Sequence, residues 1–244
     1  MKIISIINLK GGVAKTISSI NIAHILAVVH NKKVLLIDND KQGNTSKFFS
    51  LGNEEELSIA DIMLNRDISI KEVIGATQYE NIDLIKANMS LLQANLTIKK
   101  SDILKQALEE VSKDYDYCII DNAPDINLST INAIVASNDI LIPVKADVFA
   151  LDGLKEINEQ INNAKQVNPN LILKGCFITQ WQKNNANMQT ETLLIKEKYP
   201  IFKTHIRRTP KIDESTFENK PILEYSKRCG ATRDYLALVE EYLN

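Results

Sequence analysis

The chain has 244 residues, 44% hydrophobic and 25% charged, with only 8 Gly and 6 Pro, which excludes collagen-like, low-complexity and disordered classes. At about 100–200 residues per domain this is one large domain or two small ones, with chain enough to bury a sizeable core. Cys118, Cys176 and Cys229 are too widely spaced for a disulfide framework or a CxxC metal pair, and a net charge of −2 gives no global basic field for nucleic acid.

Strand candidates in chain order are 2–8, 33–38, 82–87, 115–121, 139–145 and 171–180. Several are apolar at consecutive positions, as strands covered by helices on both faces must be. Between them, helical spacing runs over about 15–30, 89–112, 127–137, 150–167, 186–198 and 232–243. This alternation predicts an α/β fold, doubly wound, with a mostly parallel sheet and helices on both faces. No repeat, charge block or Gly/Ser/Pro linker divides the chain, so a single domain over 1–244 is expected. Segment 204–230, with Pro210, Pro221 and Gly230, reads as loops and short helices over the sheet. Met1 and Lys2 lead straight into the first strand with no signal peptide, and the uncharged stretch 16–31 falls short of the ~20 apolar residues a membrane helix needs. A reducing cytoplasm is the expected setting.

The first strand runs into Asn8-Leu9-Lys10-Gly11-Gly12-Val13-Ala14-Lys15-Thr16 and then into a helix. That is the context of a phosphate loop, in which glycines permit a sharp turn, backbone N–H groups point inward and the helix presents its positive end to the anion. Lys15 can reach the β and γ phosphates and the Thr16 hydroxyl can ligate Mg²⁺. The strict GxxxxGK[ST] pattern has glycine where Leu9 and Ala14 stand, and Ala14 is expected to hold a helical φ/ψ. Asp38 and Asp121 close two buried strands, at the end of an open sheet where ligands sit, and can hold Mg²⁺ and its waters.

Lys10-Gly11-Gly12-x-x-Lys15-Thr16 resembles the deviant phosphate loop of the ParA/MinD ATPases. Asp38-Asn39-Asp40-Lys41-Gln42-Gly43-Asn44 is similar to their DxDPQGN switch, Asp121-Asn122-Ala123-Pro124 to DTPP, and the run from Ile142 to Leu154, with Phe149, to IPVxPxxFAxxGL. The chain thus resembles ParA/Soj-type partition ATPases of the small form that lacks an N-terminal DNA-reading domain. The resemblance implies a P-loop ATPase with ATP and Mg²⁺ as ligands, contacts to ATP from Lys10 through Gly11, Gly12, Val13, Ala14, Lys15, Thr16 and Ile17, and metal ligation by Thr16, Asp38 and Asp121. It further implies that Asp40 orients the attacking water and that Lys10 reaches the partner's phosphates across an ATP-dependent homodimer.

Residues Thr204 to Lys211 occupy the place of the family's TxIPRNxR segment, whose proline and asparagine flank adenine; Arg207 and Thr209 stand there, and an arginine can stack on a base. Lys203, Arg208, Lys211, Lys227 and Arg228 form a candidate patch for sequence-independent, salt-sensitive DNA contact. The implied partners are non-specific DNA and a ParB-like centromere-binding protein, with no membrane and a cytoplasmic, nucleoid-associated location. The alternative is a MinD-like membrane-cycling ATPase, which needs a basic amphipathic C-terminal helix; residues 232–244 are acidic. An iron-protein-type reductase would need surface cysteines at a dimer axis, and Cys118 lies inside a strand candidate.

Overall fold

A computed structural model describes residues 1–50, 56–65, 67–147 and 150–244. Its strands are β1 (Lys2–Ile6), β2 (Val34–Asn39), β3 (Ile74–Ala76), β4 (Ile82–Ile85), β5 (Tyr117–Asn122), β6 (Asp139–Lys145) and β7 (Ile172–Thr179). They form one seven-stranded sheet in the order β3-β4-β2-β5-β1-β6-β7. Every pairing is parallel except β3 with β4. The helices are α1 (Lys15–Val28), α2 (Asn44–Phe48), α3 (Ile59–Leu64), α4 (Ile70–Val73), α5 (Ser90–Thr97), α6 (Ile103–Glu109), α7 (Leu128–Ala136), α8 (Ala150–Ala164), α9 (Asn185–Lys196), α10 (Pro210–Phe217), α11 (Ile222–Tyr225) and α12 (Gly230–Leu243). The doubly wound α/β architecture expected from the apolar runs is the one observed.

The two faces of the sheet explain those runs. Val34, Leu36 and Ile119 pack with α1 and α12, whereas Leu35, Ile37, Cys118 and Ile120 pack with α3, α5 and α6 on the other side. Successive residues of a strand point to opposite faces, so both sets must be apolar. Helix α1 is likewise covered on two sides, by the sheet and by α11 and α12, and buried polar side chains help to fasten it. Ser18 Oγ and Tyr235 Oη lie 3.0 Å apart, Asn21 Oδ1 accepts from Ile222 N at 2.7 Å, and Ser19 Oγ donates to Lys15 O at 3.0 Å.

Two expectations are corrected. The continuous helix over 89–112 is two helices, because Asn132 of α7 intervenes: its Nδ2 donates to Lys100 O and its Oδ1 accepts from Leu104 N, capping α6 afresh. Strand β3 was not expected; at three residues it carries no readable period, and its antiparallel pairing with β4 closes the sheet edge. Segment 204–230 holds the short helices α10 and α11 and the first residue of α12 between loops, as expected. Among the described residues no helix is long and apolar enough to cross a membrane.

Candidate functional site

The carboxyl ends of β1, β5 and β2 lie side by side, and the chain leaving β1 turns back over them before entering α1. Asn8 fixes the start of that turn: its Oδ1 accepts from Lys10 N at 3.0 Å and its Nδ2 donates to Pro143 O at 2.8 Å. Gly12 has φ 70°, a left-handed conformation that glycine adopts at no steric cost. Ala14 has φ 69° and ψ 32°, so the expected helical conformation is wrong. The turn from strand to helix demands a left-handed residue just before Lys15, and a Cβ there carries a strain of roughly 1–2 kcal/mol. Lys15 is buried and folds back over the loop, its Nζ donating to Lys10 O at 2.9 Å. Burial lowers its pKa while Asp121, Asp40 and Asp125 raise it.

Gly11, Gly12, Ala14, Lys15, Thr16 and Ile17 line a cavity of about 550 Å³, together with Asp40 and Pro124. Val13 points inward instead, and its carbonyl accepts from Thr179 Oγ1 at 3.0 Å. Lys10 is half-buried, with its ammonium paired to Asp147 of the same chain.

Behind the loop, Asp38 and Asp121 are register partners on adjacent strands, and both are buried. Asp38 accepts from Ser46 N at 2.8 Å, Ser46 Oγ at 2.7 Å and Asp40 N at 3.1 Å. Asp121 accepts from Thr45 Oγ1 at 2.7 Å and Ser19 Oγ at 3.3 Å, and Thr16 hydrogen-bonds to it as well. Burial, reinforced by the charge of Asp121, pushes the Asp38 carboxyl up to about 7, and burial pushes Asp121 up to about 6 against the hydrogen bonds that hold it down. Two adjacent carboxyls held this way, with a threonine hydroxyl beside them, are a hard oxygen set that a cation would favour in its charged form. The described residues contain no cluster of three or more His, Cys, Asp or Glu able to hold a metal. Two carboxylates and a hydroxyl suit an ion such as Mg²⁺, which keeps several waters and takes phosphate oxygens as ligands.

Asp40 accepts from Gln42 N at 2.9 Å, and its carbonyl accepts from Gly43 N at 2.8 Å, which bends the segment into α2. Gly43 has φ 64°, and a Cβ there would stand 3.1 Å from Ala87 O, so both backbone conformation and close approach favour glycine at this turn. The sequence left the role of Asn122 open and gave Asn39 none. Asn39 Nδ2 donates to Asn122 Oδ1 at 2.8 Å, and Asn122 Nδ2 donates to Ile6 O at 3.2 Å. This buried bridge ties β2 and β5 to β1 immediately beside Asp38, Asp40 and Asp121. The signal in the sequence was a polar residue following each strand-ending aspartate.

The C-terminal residues divide. Thr209 caps α10, accepting from Lys211 N at 3.3 Å. The Arg207 guanidinium is held by Asp234, Nε at 2.7 Å and Nη2 at 2.8 Å, and this salt bridge engages the group expected to stack on a base. Lys211 is paired with Glu214 at 2.6 Å. Lys203, Arg208, Lys227 and Arg228 are exposed and make no ion pair among the described residues. Of the block around Phe149, Phe149 lies outside the described residues, while Leu154 is buried and Gly153 approaches Leu9.

A family model described as an AAA domain matches residues 1–173. The sporulation initiation inhibitor protein Soj of Bacillus subtilis is 36% identical over 98% of this chain and 97% of its own. The chain belongs to the ParA/Soj family of ATPases. A Borrelia burgdorferi protein assigned to plasmid partition, solved bound to AMPPNP, superposes with a TM-score of 0.83 at 26% identity over 99% of this chain and 98% of that one. McdA of Cyanothece gives a TM-score of 0.90 at 20% identity with full coverage of both chains, a likeness of fold. The ParA/Soj membership accounts for the order of motifs along the chain, and the left-handed Ala14 shows how this member keeps the loop's shape without its second glycine.

Proposed function

We propose that residues 1–244 form one ATPase domain of a DNA partition system, which binds Mg-ATP, dimerises around two nucleotides, contacts DNA without sequence preference in that state and is reset by hydrolysis that a ParB-like partner stimulates. The observation that carries this reading is the Lys15 ammonium laid over the phosphate loop, in a cavity that Asp40 and Thr16 also line, with Asp121 hydrogen-bonded to Thr16 and Asp38 its register partner. Thr16, Asp38 and Asp121 would hold Mg²⁺, which when bound supplies neutralisation of phosphate charge. Lys15 binds the β and γ phosphates and stabilises charge developing on the leaving group. Asp40 orients a water for in-line attack on the γ-phosphorus, and the bond to the β-bridging oxygen breaks. Lys10 of the second protomer completes the charge on the phosphates, so turnover depends on the dimer. Lys203, Arg208, Lys227 and Arg228 are the DNA contacts, with Lys211 released from Glu214 on binding. The location that follows is the cytoplasm, on the nucleoid while ATP is bound.

The membrane-cycling alternative is disfavoured by α12, which buries Tyr235, Leu238, Val239 and Tyr242 on the core and exposes Glu240. The reading is tested by DNA retention with and without ATP for the wild type, Lys10→Ala and Asp40→Ala. Asp40→Ala is expected to retain DNA with ATP while losing turnover, and Lys10→Ala to lose partner-stimulated turnover. Equal retention without nucleotide, or wild-type stimulated turnover by Lys10→Ala, sinks the scheme.

A further inference from the structure

Helix α2 is fastened to both strand-end carboxylates, and the two ties do different work. On the β2 side the segment closes upon Asp38: Asp40 N donates to Asp38 Oδ1 at 3.1 Å, while Ser46 N and Oγ donate to Asp38 Oδ2 at 2.8 and 2.7 Å. Ser46 Oγ also accepts from Ala87 N at 2.9 Å, which holds α2 against the chain leaving β4. On the β5 side the crossing is made by a hydroxyl. Thr45 is fully buried, and its Oγ1 donates to Asp121 Oδ2 at 2.7 Å, while Ser19 Oγ donates to Asp121 Oδ1 at the longer 3.3 Å. Because Ser46 already anchors α2, the Thr45 hydroxyl is not needed to keep the helix in place. What it fixes is the Asp121 carboxylate, whose last torsion has no sharp rotamer of its own.

We propose that Thr45 is a positioning residue, whose hydroxyl turns the Asp121 carboxylate toward the metal and ties it to the turn that carries Asp40. The inference rests on the Mg-ATP reading of the site and deepens it. A carboxylate that ligates a cation needs a hydrogen bond of this kind to hold its angle, and losing one typically costs about 10–100-fold in metal affinity or activity. Thr45 follows Asp40 on the same turn-and-helix segment, so a shift of α2 against β5 is felt both by the carboxylate that orients the water and by the one that holds the metal. In-line attack is sensitive to such shifts, since a misplacement of about 1 Å can cost on the order of 10²-fold in rate.

Two measurements on the wild type, Thr45→Val and Thr45→Ser provide the test: ATP affinity by titration calorimetry in Mg²⁺ and in EDTA, and single-turnover hydrolysis at saturating Mg-ATP. Thr45→Val keeps the branched shape and deletes the donor. It is expected to leave the Kd in EDTA within about threefold of the wild type while cutting the ratio Kd(EDTA)/Kd(Mg²⁺) and the hydrolysis rate at least about fivefold each. Thr45→Ser restores the donor and is expected to return both to within about threefold of the wild type. Weakening of both Kd values alike makes Thr45 a purely structural residue and overturns the inference. A smaller change in the ratio or in the rate, or a serine variant no better than the valine one, overturns it equally. A wild type that binds ATP no better with Mg²⁺, or never hydrolyses it, overturns the Mg-ATP reading itself and this inference with it.

Discussion

Ala14 shows how one side chain records a compromise. A left-handed alanine is strained by roughly 1–2 kcal/mol, and replacement by glycine relieves that strain while adding freedom to the unfolded chain. The two effects oppose each other, so Ala14→Gly is expected to stabilise the protein by at most about 1 kcal/mol, read from the midpoint of denaturant unfolding. A loss of more than about 1 kcal/mol would show that Ala14 is unstrained. Residue identity alone marked Lys15, Thr16, Asp38, Asp40 and Asp121 as candidates, because each stands at a strand end or loop position with chemistry written in its side chain. It did not reveal the backbone state of Ala14, the pairing of Arg207 with Asp234 or the Asn39–Asn122 bridge, since each depends on a neighbour distant in the chain.

At the scale of elements, α1 is both the helix that follows the phosphate loop and the helix onto which α11 and α12 are fastened. Its Ser18 meets the Tyr235 hydroxyl inside the protein, where neither atom has water to fall back on. Tyr235→Phe leaves Ser18 without that partner, at a cost of about 1–3 kcal/mol in unfolding free energy. Since Tyr235 also lines a cavity of about 360 Å³ that shares Gly12, Ala14 and Ile17 with the phosphate-loop cavity, the same variant is expected to weaken nucleotide binding more than Tyr242→Phe, whose hydroxyl meets Asp139. Equal effects of the two on binding would show that the Tyr235 hydroxyl plays no part at the site. Long apolar runs made the six principal strands legible, whereas the break between α5 and α6 was not, because Asn132 reaches in from α7 to make it. Strand β3 is defined by its pairing with β4 rather than by any pattern of its own.

For the whole molecule, the near-neutral charge acquires a meaning that composition alone did not supply. Glu214 and Asp234 hold two of the basic residues of segment 203–211, which leaves Lys203 and Arg208 there without an ion pair among the described residues. Affinity assembled from a weak patch and doubled by dimerisation is expected to vanish when the dimer parts. DNA binding should then require ATP and fall steeply between 50 mM and 200 mM salt, with a log–log slope that shrinks for Lys227→Ala combined with Arg228→Ala. A slope unchanged by that double substitution would place the DNA contacts elsewhere on the surface.

The central position of β1 bears on how the chain comes to exist at all. Its neighbours in the sheet are β5 and β6, whose residues follow it by more than a hundred positions, as the pairings Lys2 with Tyr117 and Ile4 with Asp139 show. During synthesis the first strand, and the loop it feeds, must wait for roughly half of the polypeptide before either of its edges is closed. A nascent chain of that kind carries an open, apolar strand for many seconds at ribosomal speeds of roughly 5–20 residues per second, which makes it a natural client for chaperones.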